Sequence, residues 1–283
     1  MDETRAGELV LVATPLGNLG DLSSRAIELF RSANVVYCED TRRSKVLFSA
    51  NDIPTGGRLE SLHEHNEVAQ STKIVERVRS GELVVLITDA GTPGISDPGT
   101  RAVEAVVAAG LRVSTAPGPS AVVAALSISG LPTDRFVMEG FMPRKAGERA
   151  QRYAEWAREV RTIVFYESPQ RVSATLVELA GVLPERRVAV VRELTKIHEE
   201  VIRGTVADVA ALLEARDVLG EIVVVLAGAS EASAPVSDKV IVAALFEQWD
   251  DGSTTRDAVE YVAEALGVSR RDVYRLALEA RRE

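Results

Sequence analysis

Side chains that could move a proton or hold a charge gather in a few short stretches of this chain. They are Glu39-Asp40-Thr41-Arg42, His63-Glu64-His65-Asn66-Glu67, Glu139, Lys145 and Glu167-Ser168-Pro169-Gln170-Arg171. Each stands at or near the end of an apolar run. A carboxylate held there can accept a proton from a bound hydroxyl. A lysine or arginine can bind a phosphate or steady a developing negative charge. The His63-x-His65 spacing puts both imidazoles on one face of a strand, as a metal site would need. No further ligands cluster with them in the sequence, so no metal is expected and a polar substrate contact is the better reading. Asp40 with Arg42 and Glu167 with Arg171 can equally be plain ion pairs, and both readings stand at this point.

The stretch best suited to a ligand is residues 83–99. Five apolar residues, Leu83 to Ile87, end in Thr88-Asp89, and a loop with Gly91, Gly94, Gly99, Pro93 and Pro98 follows. An apolar run without alternation is the pattern of a parallel strand buried on both faces. Ligands of open α/β sheets sit just past the carboxyl ends of such strands. The glycines permit close backbone approach, and the prolines hold one loop shape. A small-molecule site is therefore expected here, with a ligand-free strand-to-helix turn as the alternative. The familiar nucleotide signatures are absent. Ala13-Thr14-Pro15-Leu16-Gly17 follows the first apolar run in place of Gly-x-Gly-x-x-Gly, and no Gly-x-x-x-x-Gly-Lys-Ser/Thr occurs. NAD enzymes, P-loop NTPases and the usual Rossmann methyltransferases are disfavoured. A proline turn offers carbonyls and apolar surface rather than a nest of N–H groups. It suits a ligand with an adenine, an amino acid group and a positive centre.

The elements that must position these residues alternate regularly. Strands are expected at residues 8–13, 33–38, 59–62, 83–87 and 112–115, with helices between them, which makes an α/β domain with a mostly parallel sheet. From Pro117 the pattern changes. Residues 120–129 read as a closely packed helix, and strands are expected at 136–141, 162–166, 188–192, 199–204 and 221–227. Hairpin-like returns among these imply a mixed sheet. Residues 229–235 are small and read as a linker. Residues 255–266 and 270–281, joined by Gly267-Val268-Ser269, read as helix, turn, helix. The expected units are 1–117, 118–229 and 236–283.

The chain has 283 residues, 46% of them apolar, enough for a substantial core. No signal-peptide pattern or membrane-length apolar run is present, and Cys38 is the single cysteine. A soluble, cytoplasmic protein with no membrane partner is expected. The formal charge of -9 argues against broad nonspecific nucleic-acid binding. Residues 141–161 nevertheless carry six basic against three acidic side chains, and residues 268–283 five against three. Such local faces suit a specific anionic partner, or are solvated helix surfaces.

Pro15-Leu16-Gly17, the loop from Asp89 to Gly99, and Pro117-Gly118-Pro119-Ser120-Ala121 together resemble the tetrapyrrole methylase superfamily. Those are S-adenosylmethionine-dependent methyltransferases of two α/β domains with the cofactor between them. The finer motifs resemble its ribosomal RNA small subunit methyltransferase I family. They are Glu39-Asp40-Thr41-Arg42, Leu62 to Glu67, Thr88 to Gly99, Leu131 to Phe136, Phe141 to Lys145 and Phe165 to Arg171. The resemblance is dense over residues 8–228.

It implies two α/β domains of the tetrapyrrole methylase type, one parallel-rich and one mixed, plus a helix-turn-helix-like tail. It implies S-adenosyl-L-methionine as cofactor and 2'-O-methylation of a decoding-site cytidine (cytidine 1402) of 16S rRNA in the small ribosomal subunit, by a homodimer. Cofactor contacts fall on Pro15, Leu16, Asp89, Gly91, Thr92, Ile95, Ser120, Ala121, Tyr166, Leu194, Thr195, Ala227 and Gly228. Thr92 stands where the superfamily has an aspartate, which leaves open whether Thr92 or Asp89 holds the polar end of the cofactor. For the ribose proton, Glu39, Asp40 or Glu167 is favoured, with water as the alternative acceptor. Arg42, His63, His65, Asn66, Glu139, Lys145 and Arg171 are assigned to the RNA. A tetrapyrrole C-methyltransferase of the same fold and a noncatalytic RNA-binding module are the other readings. The first would not need the basic segments, and the second would not need the cofactor loops.

Overall fold

The structure is a computed structural model describing residues 7–229 and 237–281. The first half runs β1 (Glu8–Val12), α1 (Ser24–Ser32), β2 (Val35–Cys38), α2 (Thr41–Ala50), β3 (Leu59–Ser61), α3 (Glu67–Arg79), β4 (Leu83–Leu86), α4 (Thr100–Ala108) and β5 (Arg112–Ala116). Its five strands form an all-parallel sheet in the order β3-β2-β4-β1-β5. Alternation along each strand sorts the side chains into two cores. Val10, Val36 and Val85 pack with Phe30 and Phe48 on one face, and Leu9, Tyr37 and Val84 with Ile74 and Val106 on the other. Both faces are thus covered, which is why the strands read as unbroken apolar runs. α2 was not apparent in the sequence. Its turns bury only Ser44 and Phe48, and the Asp40 carboxylate caps it by accepting the Arg42 N–H.

The second half runs α5 (Ala121–Ser129), β6 (Phe136–Phe141), α6 (Ala146–Trp156), β7 (Thr162–Glu167), α7 (Pro169–Ala180), β8 (Arg187–Arg192), β9 (Glu200–Thr205), α8 (Val206–Glu214) and β10 (Ile222–Leu226). The sheet is mixed, in the order β6-β7-β10-β8-β9. β6 and β7 are parallel, while β10 lies antiparallel between β7 and β8. The small residues of α5 let it lie close on one face, with α6, α7 and α8 on the other. The tail comprises α9 (Asp238–Asp250), α10 (Thr255–Ala265) and α11 (Arg270–Ala280), packed around Leu245, Val262 and Val273. The expected linker, Ala229 apart, lies outside the described residues. No described helix is long and apolar enough to cross a membrane.

Candidate functional site

β1 and β4 are neighbours, yet their following connections run to opposite sides of the sheet. The crevice at such a reversal is where open α/β sheets bind ligands. The two loops leaving it are tied together. Thr14 and Gly91 exchange both backbone hydrogen bonds, at 2.9 and 3.0 Å, and the Thr14 hydroxyl donates to the Thr88 carbonyl. The Thr92 hydroxyl donates to the Pro119 carbonyl at 3.0 Å, fastening the loop to the chain entering α5. Gly91 has φ +84°, and a Cβ there would stand 3.2 Å from Leu16 Cδ2.

Together with the second sheet these loops enclose a cleft of about 390 Å³, within the ordinary range for small-molecule sites of about 300–1,000 Å³. Of the residues expected at the cofactor, Leu16, Asp89, Gly91, Thr92, Ile95, Ser120, Ala121, Tyr166 and Leu194 line it. The opposite wall adds Phe141, whose ring lies 5.2 Å from that of Tyr166, and Gly220 to Val223. Pro15 and Thr195 stand beside lining residues without lining the cleft themselves. Ala227 and Gly228 are elsewhere: they border a separate depression with Arg186 and Arg187. β10 runs antiparallel to β7, so Ile222 pairs with Glu167 and the beginning of β10, not its end, reaches the cleft.

The expected catalytic acids differ in what holds their oxygens. Glu167 is a buried anchor, its side chain 1% exposed. Its Oε1 accepts the Ser168 N–H, and its Oε2 accepts from Arg171 at 2.7 Å and from Thr175 at 2.8 Å. Arg171 also donates to the Met142 carbonyl, so this pair braces the start of α7. Asp40 is occupied by Arg42, which donates to it from the backbone and the guanidinium. Those bonds hold its carboxyl down at about 2. Neither Asp40 nor Arg42 lines the cleft, and Arg42 is 88% exposed. Glu39 does line it, with Oε2 accepting from the Thr88 hydroxyl at 3.1 Å. Asp89 is bound on both oxygens, by the Asp40 N–H and by Arg43.

The residues assigned to RNA surround the cleft at a distance or serve the frame. Asn66 Oδ1 accepts the His63 N–H and closes the turn after β3. The His63 and His65 rings lie 6.0 Å apart, outside the cleft lining. Among the described residues no group of three or more His, Cys, Asp or Glu side chains is placed to hold a metal. Glu139 pairs with Arg152, and Lys145 with Glu148. Arg149 and Arg161 are paired as well, so the basic segment is largely neutralised within the fold. In the tail, Arg270 pairs with Glu260, Arg275 with Asp238 and Glu279, and Arg281 lies over the Trp249 ring.

Asp97, which sequence reading passed over, also lines the cleft. Burial pushes its carboxyl up to about 6, the Thr88 hydroxyl partly opposes this, and the charges of Glu39 and Asp89 reinforce it. Tyr166 is pushed up to about 12 by burial and the charge of Asp97, so its phenol stays neutral. Asp97 follows Ser96, a non-glycine residue at φ +63°. The Gly-Ile-Ser-Asp-Pro-Gly spelling alone does not distinguish a turn-forming aspartate from a ligand-facing one.

A family model described as Tetrapyrrole (Corrin/Porphyrin) Methylases matches residues 8–210. A Mycobacterium tuberculosis protein named ribosomal RNA small subunit methyltransferase I is 45% identical, over 98% of this chain and 97% of its own. Proteins of the same name from Xylella fastidiosa and Synechocystis are 42% and 40% identical over 95% and 96% of this chain, and 98% of their own in each case. Among solved structures, the uroporphyrin-III C-methyltransferase of Thermus thermophilus complexed with S-adenosyl homocysteine shares the fold. It has a TM-score of 0.53 at 19% identity, over 78% of this chain and 97% of that one. Diphthine synthase superposes with a TM-score of 0.58 at 16% identity, over 78% and 89%.

Proposed function

Because the chain belongs to the tetrapyrrole methylase family, and within it to the ribosomal RNA small subunit methyltransferase I family, we propose that it uses S-adenosylmethionine to methylate the 2'-oxygen of cytidine 1402 of 16S rRNA. The family membership supports an rRNA methyltransferase; the atom, the nucleotide and the mechanism are the proposal. The observation that carries it is the cleft between the two sheets. A ligand with an adenosine and a charged sulfur would lie along the glycine loop, where Gly91 lines the cleft without a side chain. Leu16, Ile95, Ala121, Tyr166 and Leu194 supply apolar surface. Glu39 and Asp89 supply negative charge that favours a positive centre. When bound, the cofactor supplies an electrophilic methyl group. The chain's part is to exclude water, align the ribose oxygen and take its proton.

The tetrapyrrole alternative is disfavoured by extent. The relatives named for rRNA span 95–98% of this chain, tail included, whereas the uroporphyrin enzyme spans 78%. Of the arginines of residues 141–161, Arg149, Arg152 and Arg161 are held in ion pairs, while Arg144 and Arg158 are exposed without one among the described residues and can meet a phosphate. A cytoplasmic location accords with that substrate. The separate sheets and the tail's own core support the units 1–117, 118–229 and 236–283. Exposed Phe141, which lines the cleft, and exposed Leu219, next to the lining Gly220, support pairing of two copies. A sedimentation mass of one chain at micromolar protein would count against that pairing.

Small subunits from cells lacking this methyl group, incubated with the protein and methyl-labelled cofactor, test the activity. Label on the ribose of cytidine 1402 is expected. Label on a base, or on a tetrapyrrole with none on RNA, would overturn the proposal.

A further inference from the structure

The cleft contains five carboxylates, and the structure sorts them by what already occupies their oxygens. Glu167 has bonds to both oxygens. Asp89 is held by Arg43 and the Asp40 amide, and Glu221 lies 3.3 Å from Lys196 Nζ. Glu39 accepts from Thr88 on one oxygen. Asp97 has neither an ion pair nor a backbone amide on its oxygens among the described residues; the one group that favours its charged form is the Thr88 hydroxyl, which donates to Glu39 at 3.1 Å. Its neighbours disfavour the charged form: the cleft walls remove water, and Glu39 and Asp89 are like charges. Tyr166 faces it from β7 as a neutral phenol, and the Arg43 guanidinium is engaged by Asp89.

We propose that Asp97 is the proton acceptor of the methyl transfer, and that Glu39 is a positioning residue whose charge favours proton uptake by Asp97. The assignment rests on the activity proposed above. As the ribose oxygen forms its bond to the methyl carbon, the carbon–sulfur bond breaks and its electron pair returns to sulfur. The O–H bond breaks in the same step, and its proton goes to an Asp97 carboxylate oxygen. Asp97 then releases it to water, and no further reactant is needed. A carboxylate already saturated with hydrogen bonds would be a weaker base, which is why Asp40 and Glu167 serve poorly.

The test is single-turnover methylation of the small subunit across pH, with S-adenosylhomocysteine affinity measured alongside. Wild-type rates should rise with pH through an acid limb. Asp97→Asn should lose roughly 10²- to 10⁴-fold at the plateau, while binding S-adenosylhomocysteine within about threefold of wild type. Glu39→Gln should move the acid limb to lower pH, because one like charge is removed. A plateau for Asp97→Asn within about tenfold of wild type, lost cofactor binding in that variant, or an unmoved limb in Glu39→Gln would each overturn the assignment. No methylation by the wild type would overturn the activity itself, and with it this role. Label from the wild type with an unaffected Asp97→Asn would overturn the role of Asp97 alone.

Discussion

Glu67 and Gly99 lie 32 residues apart in the chain and are joined in the fold: Glu67 Oε1 accepts the Gly99 N–H at 2.9 Å. The same oxygen accepts the Arg101 N–H at 3.0 Å. A buried carboxylate at the start of α4 thus satisfies two amides that the helix leaves without partners. It also fixes the far end of the loop bearing Asp89, Gly91 and Asp97.

Glu67→Ala should therefore destabilise the protein by about 2–3 kcal/mol, since two amides lose their buried acceptor. Glu67→Gln keeps a carbonyl acceptor and should cost less. Urea denaturation measures both. S-adenosylhomocysteine affinity should fall with Glu67→Ala, because the loop loses its frame.

Gly91→Val should abolish S-adenosylhomocysteine binding. The residue sits at φ +84°, and its new Cβ would meet Leu16 Cδ2 at 3.2 Å. A β-branched residue at positive φ costs at least about 1–2 kcal/mol. Calorimetric titration should show no heat with the variant, and Gly91→Ala should lie between it and the wild type.

Asp97→Asn should stabilise the unliganded protein at neutral pH. The folded-state carboxyl is raised from the ordinary 3.8 to about 6. Stability from the protonated form is fully present below 3.8 and is lost as pH rises through about 6. Ionised Asp97 therefore weakens the fold at pH 7 and above, by about 1–2 kcal/mol after allowing for partial solvent screening. The Tm difference between variant and wild type should be largest above pH 7 and shrink as the pH falls below 5. A constant difference across that range would contradict the burial of Asp97.

Capture of the small subunit should weaken linearly in log salt, with a slope set by the phosphates contacted. Arg144 and Arg158 are exposed and have no ion pair among the described residues. Arg144→Ala or Arg158→Ala should each reduce the slope by about one if its guanidinium meets a phosphate. Unchanged slopes in both would move the RNA contact away from residues 141–161.

The location of the site was legible in the sequence because it depends on local patterns. An unbroken apolar run, a glycine–proline loop and a helix start determine where a buried parallel strand ends, and the loop bearing Gly91 followed from that alone, whereas Leu16 and Ile95 came from the family resemblance. Tertiary structure decided which end of each later strand mattered. Ala227 and Gly228 close their strand just as Ala13 closes the first, but β10 is inserted antiparallel, so its beginning faces the cleft. Strand direction is a matter of pairing partners, which local spacing does not encode. The duties of the acids were decided in the same way. Asp40, Glu167 and Asp97 are all acids near strand ends or in loops. Only the fold shows that the first caps a helix, the second is saturated in the core, and the third stands in the cleft without an ion pair. Desolvation and hydrogen-bond occupancy come from neighbours distant in sequence, such as Glu39 beside Asp97 or Glu67 beneath Gly99, and these are set only when the chain packs.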